Sequence, residues 1–167
     1  MQHVLSLRAN HRRLPRAPIR VPAKVKFGRE TQDAHVLQIG EGGLFLDLQD
    51  PLVPMTQLSV SFDLPKLGSH NSVVEVRWYI PKGSLRIALD AAGAGCRFLQ
   101  VSAQARESIA SYVKQTKQMY SQIQFALALS RPLPHVQGLI KDAKLDNFRD
   151  AQALKQHVDL VLQQMNV

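Results

Sequence analysis

The sequence predicts a mainly β protein with α-helices at its C-terminal end: a six-stranded antiparallel β-barrel followed by a C-terminal helical appendage. Three observations predict this class. From about residue 19 to residue 101, short runs of alternating apolar and polar residues are separated by turn residues, as in antiparallel strands with one buried face. After Ser102 the apolar period lengthens from two residues to about 3.5, which indicates helix. With 167 residues, 45% of them apolar, the chain can bury one core.

The first three strands are expected at 19–27, 34–39 and 44–48. In the first of them, apolar side chains alternate with basic ones, which places the basic residues on the solvent face. The tight turn 40–43 joins the second strand to the third. Its Gly40 permits a positive φ, so hairpin geometry alone could explain this glycine.

The last three strands are expected at 58–64, 72–80 and 95–99, with a turn at 65–69. No helical crossover interrupts the six runs, and strands joined only by hairpins indicate a small closed barrel. The strand aromatics are expected to point inward: Phe27, Phe45, Phe62, Trp78 and Phe98.

Ser102 stands where the N-cap of a first helix would lie. One face of that helix, called here the helix seam, is formed by residues at steps of three and four: Ile109, Val113, Thr116, Tyr120, Ile123 and Leu127. The prolines of 131–134 end the helix, and a second helix is expected over 147–165. Its apolar face comprises Phe148, Ala151, Leu154, Val158, Val161 and Met165.

The helix seam needs a cover, which either the second helix or another copy of the chain could supply. A seam of under three heptads is marginal as an isolated coiled coil, which favours the cover within one chain. The protein is then expected to be a monomer or a weak homodimer.

The net charge of +8 resides in the first 29 residues, which contain eight arginines and lysines and no acidic residue. Three prolines in this segment oppose helix, so an extended basic arm is expected. Arginines outnumber lysines there, and guanidinium groups suit phosphate oxygens. The predicted organisation is an arm over 1–18, a barrel over 19–102 and a helical extension over 103–167.

Neither catalysis nor a cofactor is expected. The six histidines lack metal-ligand spacing, and no nucleophile elbow or phosphate-binding loop is present. The single Cys96 lies in an apolar strand and is expected to be an inert core residue. The absence of a secretory signal or an apolar run of membrane-spanning length leads us to expect a cytoplasmic protein.

Two segments resemble the signatures of the PilZ family of bacterial barrel domains, over about residues 10–115. Arg12, Arg13 and Arg16 stand in an RxxxR arm, and residues 38–43 stand where the family has a (D/N)xSxxG turn. The resemblance implies a PilZ-like barrel without enzymatic activity that binds the second messenger cyclic di-GMP and relays it to a protein partner. It implies that the three arginines bind the ligand, and that Gln38, Gly40 and Gly43 contact a guanine.

The turn departs from the family pattern at two positions. Gln38 replaces Asp or Asn and Gly40 replaces Ser, whereas Gly43 matches. A neutral amide and a missing hydroxyl lose about 1–3 kcal/mol each, so we expect affinity to fall by roughly 10²-fold, into the micromolar range or weaker. On this reasoning, Gln38→Asp combined with Gly40→Ser should restore tighter binding.

Two alternatives remain. The first is an adaptor with the same fold that binds no nucleotide and acts by protein–protein contact, as the two departures suggest. The second is a nucleic-acid-binding protein that uses the arm on phosphates. We do not expect nucleic acid to be the partner, because residues 30–167 carry equal numbers of basic and acidic side chains.

Overall fold

The computed structural model describes residues 14–82, 92–129, 134–148 and 150–166. Within them the chain forms six strands followed by three helices. The bounds are β1 Arg16–Phe27, β2 Glu30–Gly40, β3 Gly43–Leu46, β4 Gln57–Leu64, β5 Gly68–Ile80, β6 Gly93–Val101, α1 Ala103–Ala128, α2 Pro134–Asp142 and α3 Ala151–Met165. The strands pair antiparallel and close into a barrel in the order β1-β2-β3-β6-β5-β4. The predicted fold class is confirmed.

The six predicted strands are present, with different ends. β1 begins at Arg16 instead of residue 19, and β5 begins at Gly68 instead of residue 72. The added residues of β5 are mostly polar, yet they pair with β4 as far as Leu64 opposite Gly68. Alternation marks only the half-buried part of a strand, whereas backbone pairing continues beyond it.

The inward placement of the strand aromatics is only partly correct. Phe62 is buried, but Phe27 is 50% exposed because it lies one residue past the β1–β4 ladder, which ends at Lys26. Trp78 and Phe98 are only half-buried. Phe45 is fully buried, but it lies outside the main hydrophobic cluster of the barrel. It packs against Trp78, with ring centroids 5.4 Å apart, whereas its neighbours in β3, Leu44 and Leu46, belong to that cluster.

α1 begins as predicted, because the Ser102 hydroxyl accepts a hydrogen bond from the Ala105 backbone N–H at 3.0 Å. α2 was not predicted, since the prolines of 131–134 suggested only a break. Pro134 is the first residue of α2, a position where proline is tolerated because its missing N–H has no helical partner.

α3 begins four residues later than predicted. The Asp150 carboxylate accepts hydrogen bonds from the backbone N–H groups of Gln152 and Ala153, at 2.8 and 3.4 Å, and so sets the N-terminus. Phe148 therefore lies outside the helix, where its ring centroid is 4.9 Å from that of His157. Ala151, expected on the apolar face, is exposed.

The helix seam is covered within one chain, as favoured above. Five of its six residues are buried, and Leu127 is half-buried. α3 supplies the cover: the Tyr120 and His157 rings lie 6.5 Å apart, and Gln124 Nε2 donates to Asp159 Oδ1 at 2.6 Å. On the barrel side, the Tyr112 hydroxyl donates to the Pro18 carbonyl at 3.0 Å. Barrel and helices thus share one core.

Among the helices of the described residues, none combines the length and the apolar character that crossing a bilayer requires.

Candidate functional site

The β2–β3 hairpin brings two glycines together on the outer side of the barrel, where both are buried under neighbouring segments. Its loop is residues 41–42, and Gly40 pairs with Gly43 across it. On one side Gly40 also pairs with Arg16 of β1, and on the other Gly43 pairs with Arg97 of β6. Register partners in neighbouring strands point to the same face of a sheet. We call these four residues, in spatial order Arg16, Gly40, Gly43 and Arg97, the glycine row.

Gly40 is required by the close approach of the arm. A Cβ at this position would lie 2.3 Å from the Pro15 carbonyl oxygen and 3.0 Å from Cγ of Arg16. Its φ is not in the left-handed region, so the positive φ considered from the sequence is wrong. At Gly42 a Cβ would lie 3.4 Å from Cδ1 of Leu14. Residues 14–16 therefore pack directly on the hairpin.

Gly43 is required by the neighbouring strand. A Cβ there would lie 2.0 Å from the Cys96 carbonyl oxygen and 3.0 Å from Cα of Arg97. The Phe98 N–H also donates to the Gly42 carbonyl at 3.1 Å, which extends the contact between β6 and the hairpin. Gly43, which matches the family pattern, is thus needed for the close pairing of β3 with β6.

Gln38 lies under the helical extension. Its side chain is only 6% exposed, and Nε2 is 3.5 Å from Oε1 of Gln164 in α3. Its own Oε1 is buried and has no hydrogen-bond partner among the described residues. Opposite Gln38 in β1 is Pro18, whose carbonyl accepts from α1. Both helices therefore cover the strand pair two residues from the glycine row.

Three of the six residues singled out from the sequence share the glycine row: Arg16, Gly40 and Gly43. Arg16 is half-buried at the first position of β1. Gln38 lies outside the row, and Arg12 and Arg13 lie outside the described residues.

The structure adds a charged cluster that the sequence analysis missed. Oε1 of Glu75, on β5, lies 2.9 Å from Nε of Arg97 and 3.1 Å from Nη1 of Arg77. The Glu75 side chain is 6% exposed, whereas the two arginines are about half exposed. The hydrogen bond from Arg77, reinforced by Arg97, lowers the pKa of Glu75 and keeps it ionised. The sequence did contain a signal for this cluster: Glu75 is an acidic residue inside the apolar run of β5.

The described residues include one cysteine, Cys96, which is buried in the barrel. Burial raises the pKa of Cys96 to about 12, so the thiol is protonated at neutral pH, in agreement with its expected place in the core. No group of three His, Cys, Asp or Glu in the described ranges could hold a metal ion. A cleft of about 630 Å³ lies between β4, β5, β6 and the start of α1, and no residue of the glycine row lines it.

The barrel resembles known proteins. The family model for the PilZ domain matches residues 7–115. The inhibitor of motility MotI/DgrA of Bacillus subtilis has a similar fold, with a TM-score of 0.52 and 15% identity over 61% of this chain and 48% of that chain. For the PilZ domain of YcgR from Escherichia coli, solved with c-di-GMP, the TM-score is 0.51 and the identity 15%, over 65% of this chain and 92% of that domain.

A longer YcgR structure from Escherichia coli, in complex with c-di-GMP, has a TM-score of 0.52 and 16% identity over 67% of this chain and 48% of that chain. The matched region thus spans about half of the longer relatives. At such low identity, these similarities concern the fold alone. No curated protein is a significant match to the chain.

Proposed function

The chain belongs to the PilZ domain family, and from this membership we propose that it is a non-enzymatic regulatory module that binds cyclic di-GMP and relays it to a protein partner. The glycine row carries the proposal, because it joins the last arginine of the arm to the two glycines of the turn. The YcgR structures, which contain c-di-GMP, have the same fold and support the choice of ligand.

In the proposed complex Arg12, Arg13 and Arg16 bind the phosphates, because guanidinium forks donate parallel hydrogen bonds to phosphate oxygens. Gly40 and Gly43 have no side chains, which lets the arm and β6 pack closely on the turn. Both glycines are buried, so a guanine would contact the turn at its exposed Gly42. Gln38 would contribute a neutral amide at most, and it would have to exchange its contact with Gln164. We therefore expect a dissociation constant in the micromolar range or weaker.

The experiment is a calorimetric titration of the full chain with cyclic di-GMP. Arg16→Ala should abolish binding, because it removes the arm's arginine from the glycine row. Arg29→Ala is the matched control: it removes the same charge from an exposed position near the β1–β2 turn and should change affinity little. Equal effects of the two variants, with a steep fall of affinity as salt rises, would indicate diffuse electrostatics and contradict a specific clamp.

A second candidate function is an adaptor that binds no nucleotide. The observation that favours it is the cover over Gln38, since α3 lies on the position where the family has its acidic or amide ligand residue. The same titration separates the two functions. No heat from the wild-type chain, with its fold intact by circular dichroism, would contradict the ligand-binding function and favour the adaptor.

A further inference from the structure

An arginine that belongs to neither family signature lies across the hairpin from Arg16. Resting on the proposed function, we propose that Arg97 of β6 is a further ligand-binding residue. It donates hydrogen bonds to a phosphate of the cyclic dinucleotide from the side opposite Arg16, and Glu75 acts as its positioning residue.

The register of the strands places the two arginines on either side of one surface. Arg16 and Arg97 are separated by the glycine pair, which amounts to three strand spacings, or about 14 Å along the sheet. Between them lie the two buried glycines, with the Pro15 carbonyl and Cγ of Arg16 packed on Gly40. A ligand beside the exposed tip of this hairpin, at Gly42, would lie within reach of both guanidinium groups, because Cγ of Arg16 already lies over Gly40 and Arg97 is paired with Gly43.

The ion pair with Glu75 orients Arg97 and leaves donors available. Glu75 engages Nε of Arg97, and the arginine side chain is 50% exposed. A guanidinium carries further N–H donors on its two terminal nitrogens, arranged as a planar fork. The carboxylate thus restrains the side chain, while the fork can donate hydrogen bonds to a phosphate.

The charges of the cluster favour an anion. Glu75 has a single carboxylate, but two arginines contact it. One cation suffices to compensate the charge of a buried carboxylate. The second arginine therefore gives the cluster a net positive charge beside Gly43. Arg97 is the arginine paired with Gly43, whereas Arg77 is on β5, one strand farther away.

The test compares Arg97→Ala with Arg77→Ala in calorimetric titrations of the full chain with cyclic di-GMP. The two arginines are matched in charge, in their shared partner Glu75 and in exposure, at 50% and 48%. Each variant leaves Glu75 one partner, and thermal unfolding checks that the fold is retained. Arg97→Ala should weaken binding at least about tenfold, and Arg77→Ala less than about threefold. Arg97→Lys keeps the charge without the fork and should remain several-fold weaker than wild type.

The positioning role of Glu75 has its own readout in a double-mutant cycle. Glu75→Gln should weaken binding in the wild-type background but add nothing to Arg97→Ala, because the effect passes through Arg97. Additive losses would overturn that role. Equal affinities of Arg97→Ala and Arg77→Ala, while Arg16→Ala still loses binding, would overturn the assignment of Arg97 and leave the proposed function standing. Failure of the wild-type chain to bind would contradict the proposed function itself.

Discussion

The outer face of the barrel has two neighbouring regions with different surroundings. Gln38 and its partner Pro18 lie under α1 and α3, whereas the glycine row, two residues farther along β2, is formed by strand residues and the end of the arm. Yet Gln38, Gly40 and Gly43 all belong to the same six-residue turn of the family pattern. The comparison shows that membership of a motif does not decide what packs on a residue. The elements outside the motif decide it: α1 and α3 in one region, the arm and β6 in the other.

The largest expected effect comes from removing the cover. A chain ended after residue 131 lacks α2 and α3, and with them the buried side chains Leu154, Val158, Val161, Leu162 and Met165. The helix seam and Gln38 then become exposed, and an apolar strip of this length should cause self-association. Light scattering of both chains is the measurement. A truncated chain that stays monomeric and soluble would show that α3 is dispensable as a cover.

The glycine row should be sensitive to a single methyl group. Gly43→Ala places a Cβ 2.0 Å from the Cys96 carbonyl oxygen, so β3 or β6 must shift. We expect a loss of about 2 kcal/mol or more in the free energy of unfolding, measured with urea. Gly138→Ala in α2 is the control, since its Cβ would meet no atom within 4 Å and alanine favours helix. Similar effects of the two changes would contradict the close approach at Gly43.

At Gly40 the structure reverses the expectation drawn from the family pattern. Gly40→Ser would place its Cβ 2.3 Å from the Pro15 carbonyl oxygen, so the arm must move away. Instead of restoring affinity, the change should weaken binding several-fold and speed trypsin cleavage after Arg16, followed by mass spectrometry. Gly42→Ala is the control, because its Cβ would meet only the flexible Leu14 side chain at 3.4 Å. Tighter binding by Gly40→Ser would show that the serine position faces the ligand.

The smallest effect is a pH dependence at the charged cluster. The folded-state pKa of Glu75 is lowered from 4.5, chiefly by its hydrogen bond with Arg77. A carboxylate with a lowered folded pKa stabilises the fold above its unfolded pKa, and this stabilisation is lost as the pH falls through the folded value. The stability difference between wild type and Glu75→Gln should therefore shrink below pH 4.5 in urea titrations. A difference that stays constant with pH would mean that the ionised carboxylate contributes no stability.

Much of the architecture could be predicted because it depends on local patterns. The alternation of apolar residues predicted six strands, and Ser102 predicted the start of α1, where its hydroxyl caps the helix. The spacing of the helix seam predicted the buried face of α1. Each of these features is encoded within a few neighbouring residues, so tertiary contacts did not need to be known.

The candidate site was only partly predictable. The arm and the turn were proposed from their residue types, and the register pairs Arg16 with Gly40. The burial of Gln38 was not predicted, because it depends on a residue 126 positions away in α3. Glu75 and Arg97 were missed because the pairing of β5 with β6 brings them together, and alternation specifies a face but not a register.

Short-range sequence information thus sufficed for the strands, the capped helix and the helix seam. Docking of α3 and closure of the barrel determine which of these features share a surface. Both events join segments that are distant along the chain, and their free energy is the sum of many packing and pairing contacts. No single residue type marks them. The glycine row is the result: four positions from four strands meet because the barrel closes in one particular register.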